Sequence, residues 1–480
     1  MTGEREGILD GRFRALTVGA VLAVSVVAFE ALALTTVAPT IARDLGGVGL
    51  YAWIFSAFLL SQMVGAVAAG QQADRRGFTR PFLAALALLA AGLLVGALSP
   101  NMVFLIFGRA LQGLGGGALV ACVYAIINAG YPDNLRPRMM AMFSSAFILP
   151  ALVGPAIAGF VAEQITWRAI FYGFLPFLAV VGFLTVPAFG SLTAPAKRED
   201  ADGLQQPGRL PSALLLAAGT GLSLAGLKMA AGESLSLLGL KTHPALVGLP
   251  LAAVGLVAAV IALRNVLPEG ALVARQGLSA TVAAKGLMAA AYFYTEAYLV
   301  LTLNDVSGYS ATTAGLVISA GALSWTVGTW IQERLDKYRE GRRRRSRALA
   351  GSTLLAIGIS GLAAVVVTGG GNLHMSVALV GWIIASLGIG LANPANATIA
   401  FAHTPSGKEG SVSSSVLIAE LFGPATTIGI GGAIVALGAS YGGGVGFGIS
   451  LAFGLSPLLA ALTLAAAYRL PKDSARTTGS

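Results

Sequence analysis

The chain has 480 residues, of which 56% are hydrophobic and only 11% charged, with a mean hydropathy of +0.79 and a formal net charge of +10. A water-soluble domain carries about 25% charged residues, so this composition excludes one and predicts a polytopic membrane protein. The one cysteine, Cys122, excludes an intrachain disulfide and any cysteine-based metal site.

Residues before Ala15 are polar and charged, and a long apolar run follows with no small-residue cleavage site. That pattern predicts an uncleaved first span rather than a removable signal peptide. Apolar runs occupy 15–38, 51–73, 81–98, 102–130, 139–162, 168–189, 211–231, 244–263, 276–303, 311–332, 348–368, 374–400, 411–438 and 445–468. Each can cross roughly 30 Å of hydrocarbon as a helix, so fourteen spans are expected, with both termini on the cytoplasmic side. The first run carries Glu30. GQQADRRGFTR, Gly70 to Arg80, joins the second and third, and its arginines favour the cytoplasmic side. The fourth run holds Arg109, with Gln112 one turn later on the same face and Gly113, Gly115, Gly116 and Gly117 allowing close helix approach. The fifth holds Gly154-Pro155, and later runs hold Lys228, Lys285, Glu296, Asn393, Asn396 and Glu420.

The lysines and arginines lie mostly in loops assigned to the cytoplasm; Arg43, Arg168 and Lys241 fall in loops assigned outside. The net positive charge is therefore a topology signal, not a nucleic-acid footprint, and the run at 342–345 is read as a topology determinant touching anionic lipid heads. Segments 190–210 and 333–347 are the largest internal loops, and neither could hold a soluble domain.

The chain repeats itself. GRALQGLGGGAL at Gly108 matches GWIIASLGIGLA at Gly381, 273 positions on. Gly154-Pro155 matches Gly423-Pro424 at 269, and Glu30 matches Glu296 at 266. Three matches near one offset divide the chain into 1–189, a linker at 190–210, two extra spans at 211–265, and 266–480. Trp382 stands where the first half has Arg109, so only the first half keeps a charge there.

A charged residue deep in a membrane span is a functional candidate by default. Glu30, Glu296 and Glu420 each read either as a functional group or as a protonated, hydrogen-bonded core residue. Arg109 faces a polar cavity with a partner or snorkels to the interface. Lys228 and Lys285 read as structural or interfacial, and Asn393 and Asn396 line a cavity or satisfy the backbone beside Pro394. His243, His374 and His403 are far apart near span ends and read as surface residues, so no metal site is expected. Gly407-Lys408 is followed by Glu409, so there is no P-loop, and no cofactor or enzymatic chemistry is expected.

Gly70, Asp74, Arg75, Gly77 and Arg80 fit the loop motif between spans 2 and 3 of the major facilitator superfamily, which the chain resembles over nearly its whole length. Gln72, Phe78 and Thr79 depart from that pattern. Arg109, Gln112 and the glycines resemble the family's span-4 motif, whose arginine is buried and linked to proton coupling. Ile148 to Gly159 resembles the span-5 antiporter motif, with Pro150 and Phe160 replacing glycines. Glu30 with Thr35, Ala38 and Pro39 is similar to the span-1 motif, and TWRAIF to the start of span 6 in drug:proton antiporters.

The resemblance implies the all-α major facilitator fold, two six-helix bundles plus two extra central spans, as in fourteen-span drug:proton antiporters. It implies export of apolar or cationic small molecules driven by protons, in a lipid bilayer, by a monomer in the inner (cytoplasmic) membrane. Glu30 and Arg109 are then the proton-coupling pair. Glu296, Glu420, Gln112, Asn393 and Asn396 are candidates for the substrate cavity. The alternatives are a lipid or self-made-metabolite exporter on the same scaffold and a non-transporting receptor or scaffold.

Overall fold

Helix dominates because an apolar chain in lipid must satisfy its backbone groups internally. A computed structural model describes residues 8–132, 134–189, 209–232, 235–237, 240–339, 342–405, 409–439 and 444–471. The helices are α1 (Gly11–Asp44), α2 (Tyr51–Arg76), α3 (Thr79–Ala97), α4 (Met102–Gly130), α5 (Arg136–Ser145), α6 (Ile148–Gln164) and α7 (Arg168–Ala188). Then come α8 (Arg209–Ala230), α9 (Pro244–Val266), α10 (Leu278–Leu301), α11 (Ala311–Tyr338), α12 (Arg344–Thr368), α13 (Met375–Ala402), α14 (Glu409–Gly438), α15 (Gly444–Phe453) and α16 (Leu455–Tyr468). Among the described residues, 14 helical segments are long and apolar enough to cross a membrane. This is an all-α, multi-pass membrane protein.

Two of the expected single spans are broken. The run at 139–162 divides into α5 and α6 because Pro150 has no N–H to give the carbonyl of Ala146. That carbonyl takes the Ser25 hydroxyl instead, at 3.0 Å. The run at 445–468 divides at Gly454, where Pro457 has no N–H to give the carbonyl of Phe453. The neighbouring Ala452 carbonyl accepts from Tyr294 Oη at 2.6 Å. A short antiparallel ribbon between α8 and α9, β1 (Leu235–Leu237) with β2 (Leu240–Thr242), had no expectation in the sequence reading.

Contacts sort the chain into two compact units: the residues up to Ala217 with Ala311–Gly315, and Ala218–Ser310 with Leu316 onward. In the first, α4 packs on α2 and α3, while α1 packs on α6 and α7. The α2–α4 seam works by omission of side chains. A methyl at Gly117 would strike the Gln62 carbonyl, and one at Gly65 the Leu114 carbonyl. Such backbone contact gains dispersion energy in lipid, where burial of apolar surface gives no drive. In the second unit α12 packs on α13, and α10 sits among α13, α14 and α16. Gly286 and Gly423 bring α10 and α14 together in the same way. The extra helices close on each other through Gly226, Gly248 and Gly255, and Leu224 of α8 fills the notch at Gly429 of α14.

Candidate functional site

α1 delivers Glu30 and α4 delivers Arg109 to one point in the first unit, and each is 2% exposed. Arg109 Nη1 donates to Glu30 Oε1 and to Gln112 Oε1. Arg109 Nε donates to the Ile54 carbonyl of α2 at 3.2 Å, and the guanidinium lies over the Phe58 ring, 4.1 Å from its centroid. Gln112 Nε2 donates to the Gly92 carbonyl of α3 at 2.9 Å. Gly96 leaves room for this arrangement, since a methyl there would press on the Phe171 ring and the Gln112 amide. Residues of α1, α2 and α4 thus hold the guanidinium, and Gln112 ties the network to α3. Glu30 Oε2 has no hydrogen-bond partner, so the carboxylate is held by one oxygen and has an open one.

The arrangement can do two things chemically. It neutralises a carboxylate in a low-dielectric site by a fully desolvated cation, and it leaves one oxygen able to take a proton or a donor. Arg109 is buried rather than at the interface, and Gln112 shares its face as the spacing implies. Gly154 of α6 lies against the Phe29 ring, beside Glu30, and Pro155 is buried inside α6.

The loop motif is partly described. Gly77 ends α2 at φ +79°, a conformation that costs an L side chain strain. Arg75 and Arg80 are exposed, and a methyl at Gly70 would meet open space. The side chain of Asp74 lies outside the described residues.

In the second unit the other candidates separate into two places. Lys285 of α10 is 5% exposed; its Nζ donates to Glu420 Oε1 of α14 at 2.7 Å and to Asn393 Oδ1 of α13. Lys285 is thus the counter-ion of Glu420, a pairing that sequence spacing does not disclose because 135 residues separate them. Asn396 Nδ2 donates to the Thr281 carbonyl of α10 at 3.3 Å, so it ties two helices beside Pro394. Glu296 lies elsewhere on α10, 3% exposed. Lys228 is half-buried on α8. His374 caps α13, and His243 and His403 flank helix ends.

Two further clusters escaped the sequence reading. Asp336 receives Arg344 Nε and Nη2 at 2.8 and 2.6 Å and also Arg347 Nη2, binding the end of α11 to the start of α12. Its signal was available: Asp336 follows Asp74 by 262 positions, close to the repeat offsets. Asp44, at the end of α1, accepts from Trp167 Nε1 at 2.8 Å and Arg168 Nη1 at 3.0 Å. Arg168 Nη2 also reaches the Ser99 carbonyl at 3.2 Å. TWRAIF therefore fastens the start of α7 to two neighbours.

The chain is 35% identical over 149 residues to a probable multidrug-efflux transporter of Mycobacterium tuberculosis (strain ATCC 25618 / H37Rv), covering 31% of each chain. It is 29% identical over 171 residues to Multidrug resistance protein 3 of Bacillus subtilis (strain 168), covering 36% of this chain and 33% of that one. The matches thus span about a third of the length of these relatives. The fold is similar to the crystal structure in meso of the POT family transporter PepTSo, with a TM-score of 0.67 at 12% identity, covering 94% of this chain and 96% of that one. It is also similar to a D-xylose-proton symporter, with a TM-score of 0.62 at 13% identity, covering 94% and 97%. With that architecture, and with the family model of the Major Facilitator Superfamily matching residues 20–427, the chain belongs to the Major Facilitator Superfamily.

Proposed function

We propose that this protein is a proton-coupled antiporter that exports apolar or cationic small molecules, in which Glu30 carries the coupling proton and Arg109 adjusts its affinity. The observation that carries the reading is the sealed Glu30–Arg109–Gln112 network, with one carboxylate oxygen left open. The multidrug-efflux relatives support the substrate class. Burial favours the neutral form of a carboxyl and a neighbouring cation the ionised form, and a proton carrier needs both influences in balance. In the cycle, Glu30 takes a proton from outside as substrate leaves and yields it inside when the cavity reopens there. One proton moving inward down 100 mV supplies about 2.3 kcal/mol, which sustains a gradient of about fiftyfold for a neutral substrate, whereas exchange for a monovalent cation is driven by the pH difference alone.

The arginine-rich loops and both termini face the cytoplasm in this reading, and the protein works in the inner membrane. Residues 1–189 and 266–480 act as the two transporting bundles, with the two extra spans at 211–265 between them in sequence. The test is flux of ethidium from proteoliposomes under an imposed pH gradient. Wild-type protein moves ethidium uphill and Glu30→Gln does not, while remaining folded. Undiminished pH-driven export by Glu30→Gln would remove Glu30 from the coupling role.

A further inference from the structure

The two halves carry the same site with different contents. Glu30, Phe58 and Arg109 of the first unit correspond to Glu296, Trp325 and Trp382 of the second, at offsets of 266, 267 and 273. In the first unit the guanidinium sits between the carboxylate and an aromatic face. In the second the carboxylate and the aromatic remain, but an indole replaces the cation, and Ala385 stands where Gln112 would be. Among the described residues Glu296 forms no ion pair or hydrogen bond, although it is 3% exposed. The cation on its own helix, Lys285, lies three turns and about 16 Å away, and is already engaged by Glu420 and Asn393.

An aromatic cluster is centred one turn from Glu296 on α10. Tyr292, one turn earlier on the same helix face, stacks on Trp382 with centroids 4.5 Å apart and planes at 25°. Trp325 meets the same ring edge-on at 4.9 Å and 88°. Trp382 is fully buried, yet its indole Nε1 has no hydrogen-bond partner, and a methyl on Gly321 would strike it. A buried carboxylate without a counter-ion and a buried donor without an acceptor are both costly to keep. Tyr292 itself is held only by Ser386 Oγ, at 3.0 Å, and by its ring contacts.

We infer that Glu296, Tyr292, Trp325 and Trp382 form a binding site for a flat or delocalised monovalent organic cation, which takes the place that Arg109 occupies in the first unit. Aromatic faces attract such cations most strongly once water is excluded, and the carboxylate supplies the balancing charge. The ligand enters by displacing the Tyr292 ring from its bed on Trp382. Glu420 does not compete for the cation, because Lys285 neutralises it in place. The inference rests on the cation-exporter reading above and assigns the charge recognition to the half that does not carry the coupling pair.

The test is equilibrium binding of tetraphenylphosphonium to the purified full chain in detergent, with no proton gradient. Glu296→Gln should weaken binding about tenfold or more, in keeping with loss of a desolvated charge contact. Trp382→Arg should do the same by restoring the internal cation, whereas Trp382→Phe should keep most of the affinity. The wild-type chain gives a second reading that does not depend on the folding of a variant. Bound tetraphenylphosphonium should shield Glu296 from dicyclohexylcarbodiimide, read as the adduct on its peptide by mass spectrometry. Wild-type affinity in a folded Glu296→Gln protein, or unshielded labelling of Glu296 in the loaded protein, overturns the site. Intact binding with no pH-driven flux would instead overturn the proton-coupled reading and leave this site standing.

Discussion

Removing Arg109 tests the first-unit network most directly. Arg109→Met keeps most of the side-chain volume and deletes the charge. Glu30 Oε1 then loses the guanidinium, its one partner, and Oε2 has none to begin with, so a carboxylate 2% exposed is left wholly uncompensated. Breaking a buried pair from one side costs about 3–5 kcal/mol. Glu30→Gln should cost less, about 1–2 kcal/mol, because the amide oxygen still accepts from Arg109. The guanidinium also keeps the Ile54 carbonyl, Gln112 and the Phe58 face. In the double variant neither buried charge survives, so the loss should fall short of the sum by about 1–3 kcal/mol. The assay is unfolding in mixed micelles titrated with sodium dodecyl sulfate, followed by tryptophan fluorescence, for the wild type and all three variants. Losses that add to within about 0.5 kcal/mol would show that the two residues do not interact, and the site argument would fail with them.

The same logic predicts that Glu420→Leu, which leaves no acceptor at that position, destabilises the second unit by about 2–4 kcal/mol because Lys285 stays buried, and that adding Lys285→Met recovers much of it in the same micelle titration. Gly117→Ala should cost about 1–3 kcal/mol by driving a methyl onto the Gln62 carbonyl; thermal unfolding monitored by size-exclusion chromatography reads the loss. Asp336→Asn should cost only about 1 kcal/mol, because Asp336 and Arg344 are partly exposed and the amide oxygen still accepts, and high salt should shrink the wild-type advantage in the same assay. Trp167→Phe should cost about 0.5–1.5 kcal/mol through the lost bond to Asp44, with a folded protein by circular dichroism.

The spans were legible because lipid forces long apolar runs. Glu30 and Arg109 stood out since a charge in an apolar run has few explanations. Their contact did not, because 79 residues separate them and no local rule joins α1 to α4. Lys285 was read as a structural or interfacial residue because its partners Glu420 and Asn393 lie on two other helices. The breaks before Ile148 and at Gly454 were hidden for a different reason: hydropathy is blind to a missing N–H, although Pro150 and Pro457 were in plain view.

The helices of the first unit also form two triplets, α1 with α6 and α7, and α2 with α3 and α4. Within the second triplet, backbones meet without intervening side chains at Gly65, Gly115 and Gly117, so α2, α3 and α4 pack as one block. Arg109 is anchored to that block by Ile54, Gln112 and Phe58, and Glu30 rides on the other triplet. A helix motion that lengthens the bond between them moves one triplet against the other along the seam where Gly96 of α3 meets Phe171 of α7. In the proposed cycle, a proton taken up by the unpartnered oxygen of Glu30 acts at the contact between the two triplets.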